Sequence, residues 1–217
     1  MTAPRLVAAL PMHKGQQRQA LSQEEFDRFE GYLTAILGRL GLARGVPGTQ
    51  DTPGRWLRAM IEMTGGYDGD PKLETVFPGE CPTCPDEAME QVVEGPISFF
   101  ALCEHHALPI QGSAWIGYLA GHQILGISKL TRIVRLYAQR FTTQERITHE
   151  VANHLAELIR PQGVSVYLAA HHACTQARGV REPHSMTRTY AAWGAYNTSP
   201  RLRDEFMTLC GLGRARP

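Results

Sequence analysis

Charge of one sign is what this chain lacks most plainly. Across 217 residues, 22 Lys and Arg stand against 21 Asp and Glu, a formal net charge of +1. So even a balance raises no field strong enough to make nucleic acid or a membrane surface the main partner, and any anion site must be local. Long apolar runs are missing too: none approaches the roughly 20 residues that a membrane span needs. Residues 1–20 mix Arg, Lys and Gln without the apolar core of a secretion signal, and a cytoplasmic location is the expectation. Cysteine is scarce, five in all, an odd number and too few for a secreted disulfide framework. Reduced thiols or metal ligation account for them better. Neither an internal repeat nor a low-complexity stretch is present, so a solenoid or a binding linker has no support.

What is present suffices for a packed core, with 43% hydrophobic and 20% charged residues. Residues 1–21 show no sustained periodicity and read as a mobile N-terminal arm. Ser22 and Glu25 have capping-box spacing, and Phe26, Phe29, Leu33, Ile36 and Leu40 then recur at helical intervals. Thr52 and Pro53 look like a cap and first-turn pair opening a second helix, with Trp56, Met60 and Met63 on one face and Gly65 and Gly66 at its end. Residues 22–75 thus form a helical extension, and 76–217 the main domain. There, strands are expected over 91–93, 97–102, 114–119 and 123–127. Ser128 is expected to cap a helix with Leu130, Ile133, Val134 and Tyr137 inward, and Thr142 with Glu145 repeats the capping-box spacing before a second helix. Strands over 164–174 and 185–193 and a last helix opened by Ser199 and Pro200 complete an α+β chain with two consecutive helices crossing between strands.

Two clusters carry metal chemistry. Cys103, Glu104, His105 and His106 end one expected strand, and His171, His172 and Cys174 end another. A thiolate and an imidazole three positions apart can reach one cation in a tight turn, and zinc suits that pair. Three protein ligands with an open position mark a catalytic zinc, and Cys103, His106 and Cys174 are the favoured set. His105 and His172 are then left beside the metal as acid or base groups. A closed structural Cys2His2 site is the alternative. Cys81 and Cys84 form a Cys-x-x-Cys pair without the second pair of a zinc ribbon or the strand-to-helix junction of a redox motif. Cys210 reads as a small core residue.

An anion site is suggested where Ser128, Lys129 and Arg132 fall in the first turn of a helix, so that a hydroxyl, two cations and a helix N-terminus converge. A capped helix with a solvated basic face explains the same residues. Arg178, four positions after Cys174, would bring a further cation to the metal and implies a phosphorylated substrate. Glu145 is either a capping carboxylate or an acceptor for the N–H donors of a guanine edge.

Taken together, Cys-Glu-His-His at 103–106, Gly-Ile-Ser-Lys-Leu-Thr-Arg at 126–132, Gln-Glu-Arg-Ile-Thr at 144–148, and His-Ala-Cys with Arg-Gly-Val within 172–180 resemble the GTP cyclohydrolase I family. Thr-Pro-Gly-Arg at 52–55 is similar to that family's helix start, and Ser185, Thr187, Thr189 and Gly194 resemble its final strand. The resemblance implies the tunnelling fold, an antiparallel sheet with two helices per subunit, assembled as pentamers stacked into a homodecamer with active sites between subunits. It implies zinc on Cys103, His106 and Cys174, catalytic roles for His105, His172, Ser128 and Gln144, and guanine recognition by Glu145. Ser128, Lys129, Arg132, Arg178 and Arg55 would bind the rest of the substrate. The implied reaction is zinc-dependent hydrolysis of GTP at C8, releasing formate and yielding 7,8-dihydroneopterin triphosphate. Ala101 departs from the family's usual Ser, and His171 adds an imidazole the family does not lead one to expect. Those departures keep open a paralogue acting on GTP or a related purine nucleotide with a different product, such as the ring-opened formamidopyrimidine; a non-catalytic pterin- or purine-binding oligomer is a separate alternative, against which the intact Cys103, His106 and Cys174 set argues.

Overall fold

The computed structural model describes residues 18–43, 45–74, 76–78, 90–120 and 123–213. The expected arm, up to residue 17, and the Cys81 and Cys84 pair lie outside them. Helix α1 (Gln23–Arg39) starts at the expected capping box: Ser22 Oγ accepts from Glu25 N at 3.2 Å, and Glu25 Oε2 accepts from Ser22 N at 2.9 Å. Helix α2 (Thr52–Met63) packs on α1. Its N-cap is Asp51, so Thr52 and Pro53 are its first helical residues, a correction of one position. Pro53 fits because an N–H there would have no intrahelical partner. Two 3-10 turns, Gly65–Asp68 and Pro71–Glu74, lead to β1 (Phe77–Pro78).

The rest runs β2 (Glu90–Cys103), β3 (Pro109–Ala120), β4 (Gln123–Ile124), α3 (Ile127–Ala138), β5 (Phe141–Thr142), α4 (Gln144–Ile159), β6 (Gly163–His172), α5 (Ala173–Gln176), β7 (Thr187–Gly194), α6 (Ala195–Thr198) and α7 (Pro200–Leu209). The expected strands 91–93 and 97–102 merge into β2. Its register shifts between Glu94 and Ile97, where Pro96 has no N–H to give to the ladder. The strand expected over 123–127 shrinks to β4, which pairs only with β1, because Ile127 already belongs to α3. Helix α3 begins at Gly126 without a side-chain cap, so Ser128 is a helical residue and not the expected cap. Helix α4 is capped by Thr143, whose side chain accepts from Arg146 N at 3.3 Å; the Thr142–Glu145 capping box is therefore absent. Both corrections free polar side chains from a local job.

The main sheet has the order β5-β2-β3-β6-β7, antiparallel except for the short β2/β5 pairing. Its inner face is covered by α3 and α4, with Leu130, Ile133, Val134, Tyr137, Ile147, Val151 and Leu155 buried against Phe99, Ile116, Val164 and Val166. Burying each such aliphatic side chain stabilises the fold by roughly 1.5–3 kcal/mol. On the outer face, Tyr196 of α6 and Phe206 of α7 cover Leu119 and Tyr167, and half-buried Cys210 packs with them. Burial pushes the Cys210 thiol up to about 12, in keeping with a core role. Among the described residues, β5 borders β2 only at Leu102 and Cys103, and no strand pairs with the outer side of β7. Among the described residues no helix is long and apolar enough to cross a membrane.

The end of α3 is tied to the turn after α2. Gly66 N donates to Gln139 O at 2.9 Å, and the buried Arg140 guanidinium donates to Gly66 O at 3.0 and 3.2 Å. Beside it, Tyr137 Oη lies 2.8 Å from His154 Nδ1. Burial, then the Arg140 charge, holds the His154 imidazole below its ordinary value. The folded state thus resists a proton that the unfolded chain accepts at about pH 6.5. This part of the stability is complete above that pH and fades as pH falls toward the lower folded-state value. Thermal unfolding should show a wild-type Tm that drops more steeply between pH 7 and pH 5 than that of His154→Gln. Parallel slopes would mean that His154 carries no linkage.

Candidate metal centre

Sheet register brings the two clusters of the sequence together. Leu102 of β2 pairs with Pro109 of β3, and the next residue of β3, Ile110, pairs with His172 of β6. The last residue of β2, Cys103, and the turn that follows β6 therefore lie at one end of the sheet. After Cys103 the chain makes a tight turn, with His106 N and Ala107 N donating to Cys103 O at 3.3 and 2.8 Å. That turn carries the His106 ring back so that its Nδ1 lies 3.7 Å from Cys103 Sγ. The strand expected over 164–174 ends at His172, and α5 lifts Cys174 into position. The donor atoms of Cys103, His106 and Cys174 all lie within 4.8 Å of one another, a group able to hold a metal ion. Both thiols are buried while His106 is exposed, so the group opens on one side. Burial first, then the adjacent Cys103, holds the Cys174 thiol above its ordinary value.

The neighbouring histidines differ in their surroundings. His105 is exposed, with Nδ1 3.8 Å from Cys103 Sγ and Nε2 3.9 Å from Glu104 Oε1. His172 is half-buried, and its Nε2 meets Gln144 Oε1 at 2.9 Å. Burial, the largest influence, holds its imidazole below the ordinary value; Glu145 pulls the other way. Gln144 is fully buried, and its amide nitrogen faces Leu168 O, Thr187 O and Thr189 Oγ1 at 3.1–3.2 Å. Two of those partners are carbonyls and can only accept, so the amide orientation is determined and its oxygen points at His172. The neutral imidazole then carries its proton on Nε2, and Nδ1 is bare. His171, the neighbour on β6, faces the other side of the strand and is not in the metal group.

Glu145 is exposed and its carboxylate has no hydrogen-bond partner among the described residues. Exposed Arg178 lies two residues past α5. Sequence reasoning assigned no role to Arg146, which forms an ion pair with Glu104, the residue between Cys103 and His105. Its position in the 144–148 motif was the available signal. That pair ties the Cys103–His106 turn to the first turn of α4. Ala101 is fully buried within β2, so its departure from Ser alters the core and not the open side of the group.

Of the expected anion ligands, Ser128, Lys129 and Arg132 lie elsewhere in the chain. Ser128 and Arg132 line a cleft of about 550 Å³ with Lys72, Arg135 and the glycines of the turn after α2, and none of the metal-group residues is in its wall. Arg132 Nη1 is 2.9 Å from Asp70 Oδ2, and the buried Lys129 ammonium donates to Lys72 O. Arg55 sits on exposed α2, where it donates to Gly48 O at 2.9 Å. One chain thus unites Cys103, His106, Cys174, His105, His172 and Gln144, but not Ser128, Lys129, Arg132 or Arg55 with them.

The family model described as GTP cyclohydrolase I matches residues 29–211. The chain is 35% identical to GTP cyclohydrolase 1 of Neurospora crassa, over 92% of this chain and 62% of that protein. It is 42% identical to GTP cyclohydrolase 1 of Deinococcus radiodurans over 74% of this chain and 73% of that one. Against GTP cyclohydrolase 1 of Bacteroides thetaiotaomicron it is 34% identical over 91% of this chain and 98% of that one. The chain thus spans about three-fifths of the Neurospora protein but nearly the whole of the Bacteroides one. Similarity of this extent, with the family match spanning both Cys/His clusters, means that the chain belongs to the GTP cyclohydrolase I family and is an enzyme of that hydrolase kind.

Proposed function

We propose that this chain hydrolyses GTP at C8 of the imidazole ring, releases formate and forms 7,8-dihydroneopterin triphosphate, with zinc held by Cys103, His106 and Cys174. The observation that carries the reading is the Cys-His-Cys group with a histidine of determined tautomer beside it, in a chain of this family. The donor set suits zinc: tetrahedral bonds of about 2.3 Å to sulfur and 2.0–2.1 Å to nitrogen need sulfur and nitrogen donors about 3.6 Å apart, against 3.7 Å between Cys103 Sγ and His106 Nδ1. Zinc bound there would supply Lewis acidity and lower the pKa of water near neutral pH.

The chain's own groups do the rest. Gln144 holds the Nε2 proton of His172, which leaves Nδ1 to accept and return a proton at the purine ring. His105, exposed on the same turn, serves the later ribose steps together with Ser128. The unpartnered Glu145 carboxylate accepts from the N1–H and 2-amino group of guanine, a pair of donors that adenine does not offer. Lys129, Arg132 and Arg178 take the triphosphate. Since the Ser128 cleft lies away from the metal group within one chain, and both sheet edges are unpaired over most of their length among the described residues, we infer that a neighbouring copy completes the site, as in a pentamer-based homodecamer.

The test is to incubate zinc-loaded protein with GTP beside a chelated sample, follow formate and resolve products by mass spectrometry. Formate with dihydroneopterin triphosphate is the expected outcome. A ring-opened formamidopyrimidine alone would replace this product assignment, and unchanged GTP with zinc bound would refute the activity.

A further inference from the structure

Two side chains that this chemistry leaves unused gather the loop between α5 and β7. His171 Nδ1 lies 3.0 Å from the carbonyl of Ser185, near the far end of that loop. Gln176, the last residue of α5, donates from Nε2 to the same carbonyl at 3.3 Å and to Pro183 O at 3.0 Å. The two nitrogens converge within 2.9 Å of each other. Gln176 Nε2 can only donate, so His171 Nδ1 accepts from it in one tautomer and donates to Ser185 O in the other; in both, Gln176 bonds the Ser185 carbonyl and the ring closes the cluster. Glu182 N adds a bond to Thr175 O at 3.1 Å, and Ser185 Oγ turns back to Glu182 O at 3.0 Å. Residues 177–186 are thereby cinched at their base.

What the loop presents is the second observation. It carries Arg178 and runs directly against a metal-group residue: a Cβ placed on Gly179 would sit 3.8 Å from Cys174 O. Gly179 has φ +66°, a conformation that other residues adopt only with strain, and it turns the chain back just after Arg178. The loop residues around it are exposed, with no apolar packing to hold the turn. A segment so placed keeps one shape only through its hydrogen bonds.

We propose that His171 and Gln176 are positioning residues, a latch that holds the 177–186 loop closed beside the metal centre and so presents Arg178 to the phosphate chain of the substrate. Only the last step, the contact with phosphate, rests on the reading of GTP as substrate. Neither latch residue touches substrate or metal. An Arg held in place before binding loses less conformational freedom when it engages an anion, so the latch acts on substrate binding and not on the chemical step.

The experiment compares zinc-loaded wild type with His171→Val, His171→Asn and Gln176→Ala. Valine keeps a good strand former in β6 but donates nothing, whereas asparagine can still donate to Ser185 O. Hydrogen exchange of the 177–186 amides reads the latch without any substrate. Exchange there should quicken at least roughly tenfold in His171→Val and Gln176→Ala, while β6 and zinc content stay as in wild type. KM for GTP should rise roughly tenfold in the same variants with kcat within about twofold, and His171→Asn should restore much of both. Unchanged loop exchange in His171→Val overturns the latch, and quickened exchange with unchanged KM overturns its role in presenting Arg178. If wild type fails to turn over GTP, the proposed activity falls, while the exchange data still decide whether the latch exists.

Discussion

Cys103→Ala is expected to release zinc and abolish GTP turnover together. The residue ends β2, its thiol is buried, and its Sγ lies 3.7 Å from His106 Nδ1. Losing a residue that merely orients a ligand costs about 10–100-fold in metal affinity, so losing one of three ligands should exceed that range. The fold itself should persist, because alanine fits a strand end whose backbone keeps its bonds to Leu108 and Ala107. Metal analysis after gel filtration, circular dichroism and formate release measure the three effects separately. Full zinc stoichiometry with a wild-type rate in Cys103→Ala would refute the ligand assignment.

The second large effect separates chemistry from metal binding. His172→Ala should retain zinc and lose ring opening, with kcat falling by on the order of 10²–10⁴. Gln144→Leu should fall almost as far, although Gln144 is fully buried and meets no substrate. Removing its amide leaves His172 Nε2 without an acceptor and deprives Leu168 O and Thr187 O of a donor. A buried donor left unsatisfied costs about 1–3 kcal/mol, and without the Gln144 oxygen the ring loses the contact that orients it. If Gln144 acts through His172, the double variant should be little worse than His172→Ala alone, a non-additivity that a double-mutant cycle reads directly. Additive losses would mean that Gln144 has a separate role. A lower melting temperature without loss of kcat in Gln144→Leu would reduce it to a structural residue.

Local chemistry was legible where a short stretch decides it alone. The Ser22–Glu25 capping box and the Ser199–Pro200 helix start follow from neighbours no more than three residues apart, and both are present. The inward face of α3 follows from the 3.6-residue period. Element boundaries were less legible. Thr142 and Thr143 offer the same hydroxyl, and the β5 pairing that takes Thr142 into the sheet makes Thr143 the cap. Since N3 is then Arg146, Glu145 is left without a hydrogen-bond partner among the described residues, a result that spacing had left undecided. The β4 error has a similar origin: the apolar stretch 123–127 suits a strand or a helix start, and only its neighbours choose.

By itself the sequence determined that thiols and imidazoles stand at two chain positions, each at the end of a strand, and which local turns surround them. Those are properties of residue type and short spacing. Only the tertiary structure decided that the two positions meet, because register across β3 joins residues about 70 apart along the chain. It also showed that Gln144, given a catalytic role by the resemblance, is buried with its side-chain oxygen on His172 Nε2, and that His171 meets the carbonyl of Ser185 on the other face. Alternation along β6 already puts His171 and His172 on opposite faces, but which carbonyl a buried amide finds depends on groups brought near by packing, and no spacing along the chain encodes that.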